Sequence, residues 1–364
     1  NEEAVFLWVV CWWEASARPV AELLAAMKHL RFAAMEVGFV QTTVRAWPAL
    51  DSKEGRDIIL DAVLPEVARA LPRSGSGPRL VYVLGGGNDD GESTGTVDVY
   101  DPRADACKQL SSMPTGRRMH GGVALDGKIY VMGGFNNHDG YLSTADVYDP
   151  QSDHWQPLAN MASARSLFAA IAAGGKIYAI GGDNRDIDAM ATVEAFDPQL
   201  GAWAEAASMS VARIHHAAVV VDGKIYAIGG YDADSNDLDT VEAYDPQTDS
   251  WQQMASMTGV RHGHAATSMG GKIYVTGGYV NDDITSTATV FDPQANTWTQ
   301  LAGMGSDRFA HASAAIGGKL YVFGGYTNSD GHMASVEAYD PISNTWAQVS
   351  DLTSARDELV AVAL

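Results

Sequence analysis

Four histidines stand at matching points of a tandem pattern. His120, His216, His264 and His311 each follow a repeated arginine by three residues. Converged on one point, four imidazoles would hold a metal ion such as zinc. Equivalent points of a repeat are instead spread around an axis, and Phe168 and Leu359 hold the same point in the two remaining copies. The spacing therefore predicts a part in the architecture of the repeat, with no metal and no cofactor. His262 and His264 alternate on one predicted strand and face one side, but two ligands make a weak site.

Other chemistry is less legible still. No nucleophile, base and acid stand together in the sequence. The Gly-Gly runs end predicted strands without opening a helix, so the dinucleotide fingerprint lacks its context. No cysteine lies beside a tyrosine where an oxidase cofactor would need one. The expectation is a binding protein and not an enzyme.

Charge narrows the partner. The 364 residues carry 45 acidic and 24 basic side chains, a net charge of −21. Such a chain repels phosphate backbones, so nucleic acid is excluded as the expected partner. Cys11 and Cys107 are the two cysteines, too few for a disulfide framework. That usage suits a reducing compartment, so the cytoplasm, with the nucleus as a second place, is the expected location. The apolar run at residues 4–13 is too short to span a bilayer, and no membrane role is expected. The chain starts at Asn1, and an upstream portion of the natural polypeptide is expected.

The elements that position these residues form two regions. Residues 1–73 place apolar side chains at three- and four-residue spacing through Val20, Leu23, Leu24, Met27 and Leu30, which predicts helices. Asp51 and Glu54 have capping-box spacing ahead of Ile58. Residues 74–78 (SGSGP) form a short joint. From 79 to 364 the pattern changes. Gly-Gly pairs begin at Gly85, Gly133, Gly181, Gly229, Gly277 and Gly324, at intervals of 48, 48, 48, 48 and 47. A glycine-rich β-pattern of that length predicts propeller blades, each with strands a to d. Strand b is written as RLVYVLGG, GKIYVMGG, GKIYAIGG (twice), GKIYVTGG and GKLYVFGG. An aromatic before Asp-Pro follows in every unit. Seven residues later stands Trp155, Trp203, Trp251, Trp298 or Trp346, with Cys107 in the first unit. Each tryptophan is expected in a seam between blades, where its burial contributes at most about 4–6 kcal/mol. The first strand b lacks a preceding strand a and the last strand a lacks a strand b, so the C-terminal strand is expected to close the ring.

The six copies resemble kelch repeats. The likeness rests on the Gly-Gly, the Tyr-Asp-Pro, the spaced Trp and the arginine four residues after Met, as in Met113/Arg117 and Met161/Arg165. The helical segment resembles the C-terminal part of a BACK domain, through EEAVFLWVVCWW, LLAAMKHLRFAAM and GRDIILDAVL. Together they look like a BTB-BACK-kelch protein with the BTB domain and the start of BACK absent. The resemblance implies an all-β six-bladed kelch propeller at 79–364, preceded by a small all-α partial BACK domain at 1–73. It implies a substrate-recognition part of a cullin-RING ubiquitin ligase adaptor, acting in protein ubiquitination, with the cullin held only through the missing BTB portion. A kelch scaffold, for example on actin, is the alternative; a propeller enzyme is the third.

In that family the ligand sits on the face made by the b–c and d–a loops. There the residues after Gly-Gly are Gly87, Phe135, Asp183, Tyr231, Tyr279 and Tyr326, and four aromatics around one mouth make rigid anchors. The b–c loops carry Asp89, Asp90, Asp183, Asp232, Asp234, Asp237 and Asp282 among other acids, and Arg185 is their one Lys or Arg. The d–a loops add His215, His262 and Phe309. The expected partner is a protein or peptide with a basic segment, steered by the acidic rim. The repeated arginines are expected to brace loop carbonyls rather than to touch a partner.

Overall fold

The computed structural model describes residues 80–281 and 283–364. The predicted helical segment 1–73, the joint 74–78 and Asp282 lie outside the described residues.

The described residues form six four-stranded antiparallel sheets, the blades. In order a, b, c, d, blade 2 is Gly121–Leu125, Lys128–Met132, Ala145–Asp149 and His154–Pro157. Blade 3 is Ala169–Ala173, Lys176–Ile180, Val193–Asp197 and Ala202–Ala206. Blade 4 is Ala217–Val221, Lys224–Ile228, Val241–Asp245 and Ser250–Gln253. Blade 5 is Ala265–Met269, Lys272–Thr276, Ala288–Asp292 and Thr297–Gln300. Blade 6 is Ala312–Ile316, Lys319–Phe323, Val336–Asp340 and Thr345–Val349. Blade 1 takes its inner strand from the chain end: Val360–Ala363 pairs with Val81–Leu84, which continues to Val97–Asp101 and Ala106–Gln109. Leu80 and Leu364 extend the pairing by exchanging backbone bonds at 3.1 and 3.0 Å.

Strand b is buried along most of its length in every blade, and its sequence shows why. In Lys128–Met132 the lysine is exposed and the four residues behind it are buried. β-branched and aromatic side chains fill both faces of such a strand. Ile129, Ile225 and Ile273 are fully buried. The apolar clusters lie in the seams: Leu84 and Val97 of blade 1 pack with Val131, Tyr148 and Trp155 of blade 2.

The tryptophans take the seam as expected. The indole N–H of Trp155 donates to the Ser111 carbonyl of the blade before it at 3.2 Å, and Trp203, Trp251, Trp298 and Trp346 repeat this on Ala159, Ala207, Ala255 and Ala302. Cys107 cannot make that bond. The seam between blades 6 and 1 is tied by other bonds: the Ser350 N–H donates to Asp105 at 2.8 Å, and the Thr353 hydroxyl donates to Asp98 at 2.7 Å.

Both glycines that end strand b are obligatory. Gly229 and Gly230 have φ of 58° and 89°. A Cβ on Gly229 would meet the Arg261 carbonyl at 2.5 Å, and one on Gly230 the Ile214 carbonyl at 2.5 Å. Only glycine tolerates both the left-handed backbone and the close approach.

The repeated arginines are the internal braces. Arg117, Arg165, Arg213, Arg308 and Arg356 have no exposed surface. In blades 2 to 6 the guanidinium donates to the carbonyl of the first glycine, as Arg165 does to Gly181 at 2.8 Å. Five of them also pair with an acid on strand c: Arg117 with Asp146, Arg165 with Glu194, Arg213 with Glu242, Arg308 with Glu337 and Arg356 with Asp98, at 2.7–3.0 Å. A charge buried this deeply is tolerated because it is paired and hydrogen-bonded.

Candidate functional site

The second residue after each arginine builds the axis end of the propeller. Met119, Leu167, His215, Gly263, Ala310 and Glu358 all take left-handed backbone, with φ between 51° and 61°. Each donates its N–H to the carbonyl of the equivalent residue in the preceding blade. Leu167 donates to Met119, His215 to Leu167, Gly263 to His215, Ala310 to Gly263, Glu358 to Ala310 and Met119 to Glu358, at 2.8–3.1 Å. The circle closes through the chain end, so blade 1 is locked into it as firmly as the rest. Left-handed φ costs a non-glycine residue energy, and the five such residues of the circle persist because every one gains an inter-blade bond.

Below this circle lie the four repeated histidines. His120, His216, His264 and His311 are buried. Their rings pack on the first glycine of the neighbouring pair, where a Cβ on Gly85 would fall 2.6 Å from His120. Burial first, and then the adjacent guanidinium charge, pushes His120, His216 and His311 down to about 3. Phe168 and Leu359 fill the same place, so the position asks for an uncharged body of suitable size. Among the described residues no group of three histidine, cysteine or acidic side chains is placed to hold a metal. The channel beneath, about 510 Å³, is lined largely by alanines and valines.

Around the circle, the residue after each arginine pairs through the backbone with the residue after Gly-Gly. The rungs are Arg118 with Phe135, Ser166 with Asp183, Ile214 with Tyr231, His262 with Tyr279, Phe309 with Tyr326, and Asp357 with Gly87. The b–c and d–a loops therefore share one rim.

On that rim five candidate residues come together. The rings of His262 and Tyr279 stack, with centroids 5.2 Å apart and an interplanar angle of 4°. Tyr231 meets His262 edge-on at 5.3 Å, and Phe309 meets Tyr279 at 5.2 Å and His215 at 5.3 Å. Gly263 is required here, since a Cβ would sit 2.0 Å from the Phe309 ring. The cluster spans blades 4 to 6, and its members stay partly exposed.

Carboxylates flank it. Asp237 lies 2.6 Å from Nδ1 of His262. Asp183 accepts from Ser166 and, at 3.4 Å, from Tyr141, and burial raises it above the usual carboxylate range. The Tyr231 hydroxyl is pushed up by its burial and then by the charges of Asp183, Asp237 and Glu358. Three acids from three blades thus act on one ring of the cluster.

The other candidates are elsewhere. Phe135 sits against Tyr141 at 5.5 Å under the Arg118 guanidinium. Tyr326 packs edge-on against His332, whose Nδ1 is 2.7 Å from exposed Asp89. The four aromatics after Gly-Gly therefore divide: Tyr231 and Tyr279 join the cluster, and Phe135 and Tyr326 pair outside it. Asp90, Arg185 and Asp234 are exposed on their loops. Asp232 organises its own loop by accepting the N–H groups of Asp234 and Asn236, which hold its carboxyl low. Asp282 lies outside the described residues.

Sequence reasoning passed over Tyr141, His332 and Glu358. Glu358 was readable by alignment, because it occupies the place of His215 in the sixth copy. Desolvation and then Asp357 push its carboxyl up to about 8, against the opposing pull of Arg118 at 3.7 Å. Tyr141 and His332 lie in short hairpins, Phe135–Asn136 with Gly140–Tyr141 and Tyr326–Thr327 with Gly331–His332, which vary between blades and carry no repeat signal.

Comparison with known proteins agrees with this architecture. The solved structure of YjhT superposes with a TM-score of 0.61 over 70% of this chain and 89% of its own, at 16% identity, a likeness of fold alone. The comparison with curated proteins gave no match. The family model described as the KLHDC2/KLHL20/DRC7 Kelch-repeats domain matches residues 75–262 and 167–357, and no BTB or BACK domain is matched. Together the two matches run from 75 to 357, through every blade but short of the closing strand Val360–Ala363, and the chain belongs to this kelch-repeat family.

Proposed function

We propose that the propeller is a protein-recognition module whose rim holds a short partner segment carrying Lys or Arg. The observation that carries this reading is the joined cluster of His215, Tyr231, His262, Tyr279 and Phe309 with Asp183 and Asp237 beside it. Aromatic faces attract cations through their quadrupole, and rigid rings bury area at small entropic cost. The acidic loops add long-range attraction, which speeds encounter with a basic segment. Substituting Asp234 and Asp237 by Asn tests it: association of a basic peptide slows at low salt and the salt dependence shrinks. An unchanged rate and salt slope would refute the acidic-rim reading.

We further infer a role as the substrate-recognition part of a cullin-RING ubiquitin ligase adaptor in the cytoplasm or nucleus. Its support is the kelch family together with the BACK-like residues at 1–73. Affinity capture of the full gene product from cells tests this part separately. Recovery of a cullin is expected, whereas peptide binding without any cullin would assign the propeller to a scaffold. No catalytic role is assigned to it.

A further inference from the structure

Blade 5 departs from its neighbours at one buried charge. In blade 3, Glu194 accepts from the Arg165 guanidinium at 2.7 Å and from the N–H groups of Ala162 and Ser163 at 2.7 and 3.2 Å. Glu337 of blade 6 does the same for Arg308, Gly305 and Ser306, with backbone bonds of 2.6 and 3.2 Å. One carboxylate thus satisfies a buried cation and two loop donors together.

Blade 5 keeps the arginine and lacks the acid. Arg261 donates to the Gly277 carbonyl at 2.6 Å and the Thr287 hydroxyl at 3.0 Å, but Thr289 stands where the carboxylate would begin. Arg261 is 7% exposed and Thr289 6%. Among the described residues no carboxylate lies within salt-bridge distance of it. Burial lowers the guanidinium to about 10, so it stays charged at neutral pH. Thr258 and Gly259 hold the loop places of Gly305 and Ser306, and both are exposed. A Cβ on Gly259 would meet nothing within 4 Å, so the approach is open. A buried guanidinium without an ionic partner is costly, and among the described residues the N–H groups of Thr258 and Gly259 have no acceptor, so the loop offers the same donors that Glu194 and Glu337 engage in blades 3 and 6. What threonine lacks relative to glutamate is a terminal carboxylate, the size of formate.

We propose that Arg261 and the backbone N–H groups of Thr258 and Gly259 bind a small carboxylate anion, which supplies from solution the group that Glu194 and Glu337 supply from strand c. This site is independent of the rim and of what the rim holds.

The test is the melting temperature of the full chain in sodium formate replacing sodium chloride at fixed ionic strength, joined to saturation-transfer NMR of formate. In the wild type a saturable upward shift and a transfer signal are expected. Thr289→Glu should raise the melting temperature without formate and abolish both responses. Thr289→Asp serves as a second variant if the longer side chain fails to fold. A wild type that shows no transfer signal and no formate-dependent shift would overturn the proposal. So would a response that survives in the acidic variants.

Discussion

His262 holds its Nδ1 2.6 Å from the Asp237 carboxylate while its ring lies parallel on Tyr279. The carboxylate fixes the plane of the imidazole, and the imidazole in turn fixes the face that Tyr279 and Tyr231 present. The proposed recognition surface is therefore braced by a carboxylate that itself stays partly exposed at the rim.

Asp237→Asn tests that double part. It removes the charge and weakens the hold on the ring while keeping side-chain size. Affinity for a basic peptide should fall by roughly three- to tenfold at low salt, and by less at high salt where the charge is screened. Fluorescence polarisation across a salt series measures it. A salt-independent loss would mean that Asp237 acts only by positioning His262.

Acid should loosen the propeller through its inner histidines. Their ordinary value is 6.5, and burial lowers His120, His216 and His311 to about 3 in the fold. The unfolded chain then binds more protons than the fold between those values. Stability is fully present above 6.5 and falls as pH drops toward 3, each ring costing up to about 2 kcal/mol by pH 5. His216→Phe, which copies Phe168, should remove one proton from this dependence. Melting temperatures from pH 7 to 5 for both proteins check it; parallel curves would contradict it.

Closure by the chain end makes a different prediction. Deleting residues 358–364 removes the inner strand of blade 1 and opens the backbone circle at Glu358. Val81–Leu84 then becomes an exposed apolar edge. The shortened protein should melt well below the full chain or aggregate on expression, as light scattering and calorimetry would show. Equal melting temperatures would contradict the part given to the final strand.

Much of this was legible because a repeat states each structural demand six times. The glycine pairs, the seam tryptophans and the bracing arginines are demands of backbone and packing, and recur at a fixed spacing. The recognition cluster obeys no such rule. Tyr231 and Phe135 hold the same repeat position, yet one faces His262 and the other lies under Arg118, because the neighbouring loops differ. Asp237 and His262 are 25 residues apart, on a loop of blade 4 and on the connection into blade 5, and the side-by-side packing of those two blades places them together. Thr289 was visible as a departure on strand c. Its meaning required knowing that Glu194 reaches Arg165.

The central claim is that the aromatic cluster docks a basic segment. The most direct measurement is the dissociation constant of a fluorescent arginine-rich peptide for the wild type and for a Tyr231→Ala, Tyr279→Ala variant that keeps its melting temperature. The account predicts saturable binding to the wild type and a loss of tenfold or more in the variant. Equal affinity in the two proteins, or preference of the wild type for an acidic peptide of the same length, would contradict it.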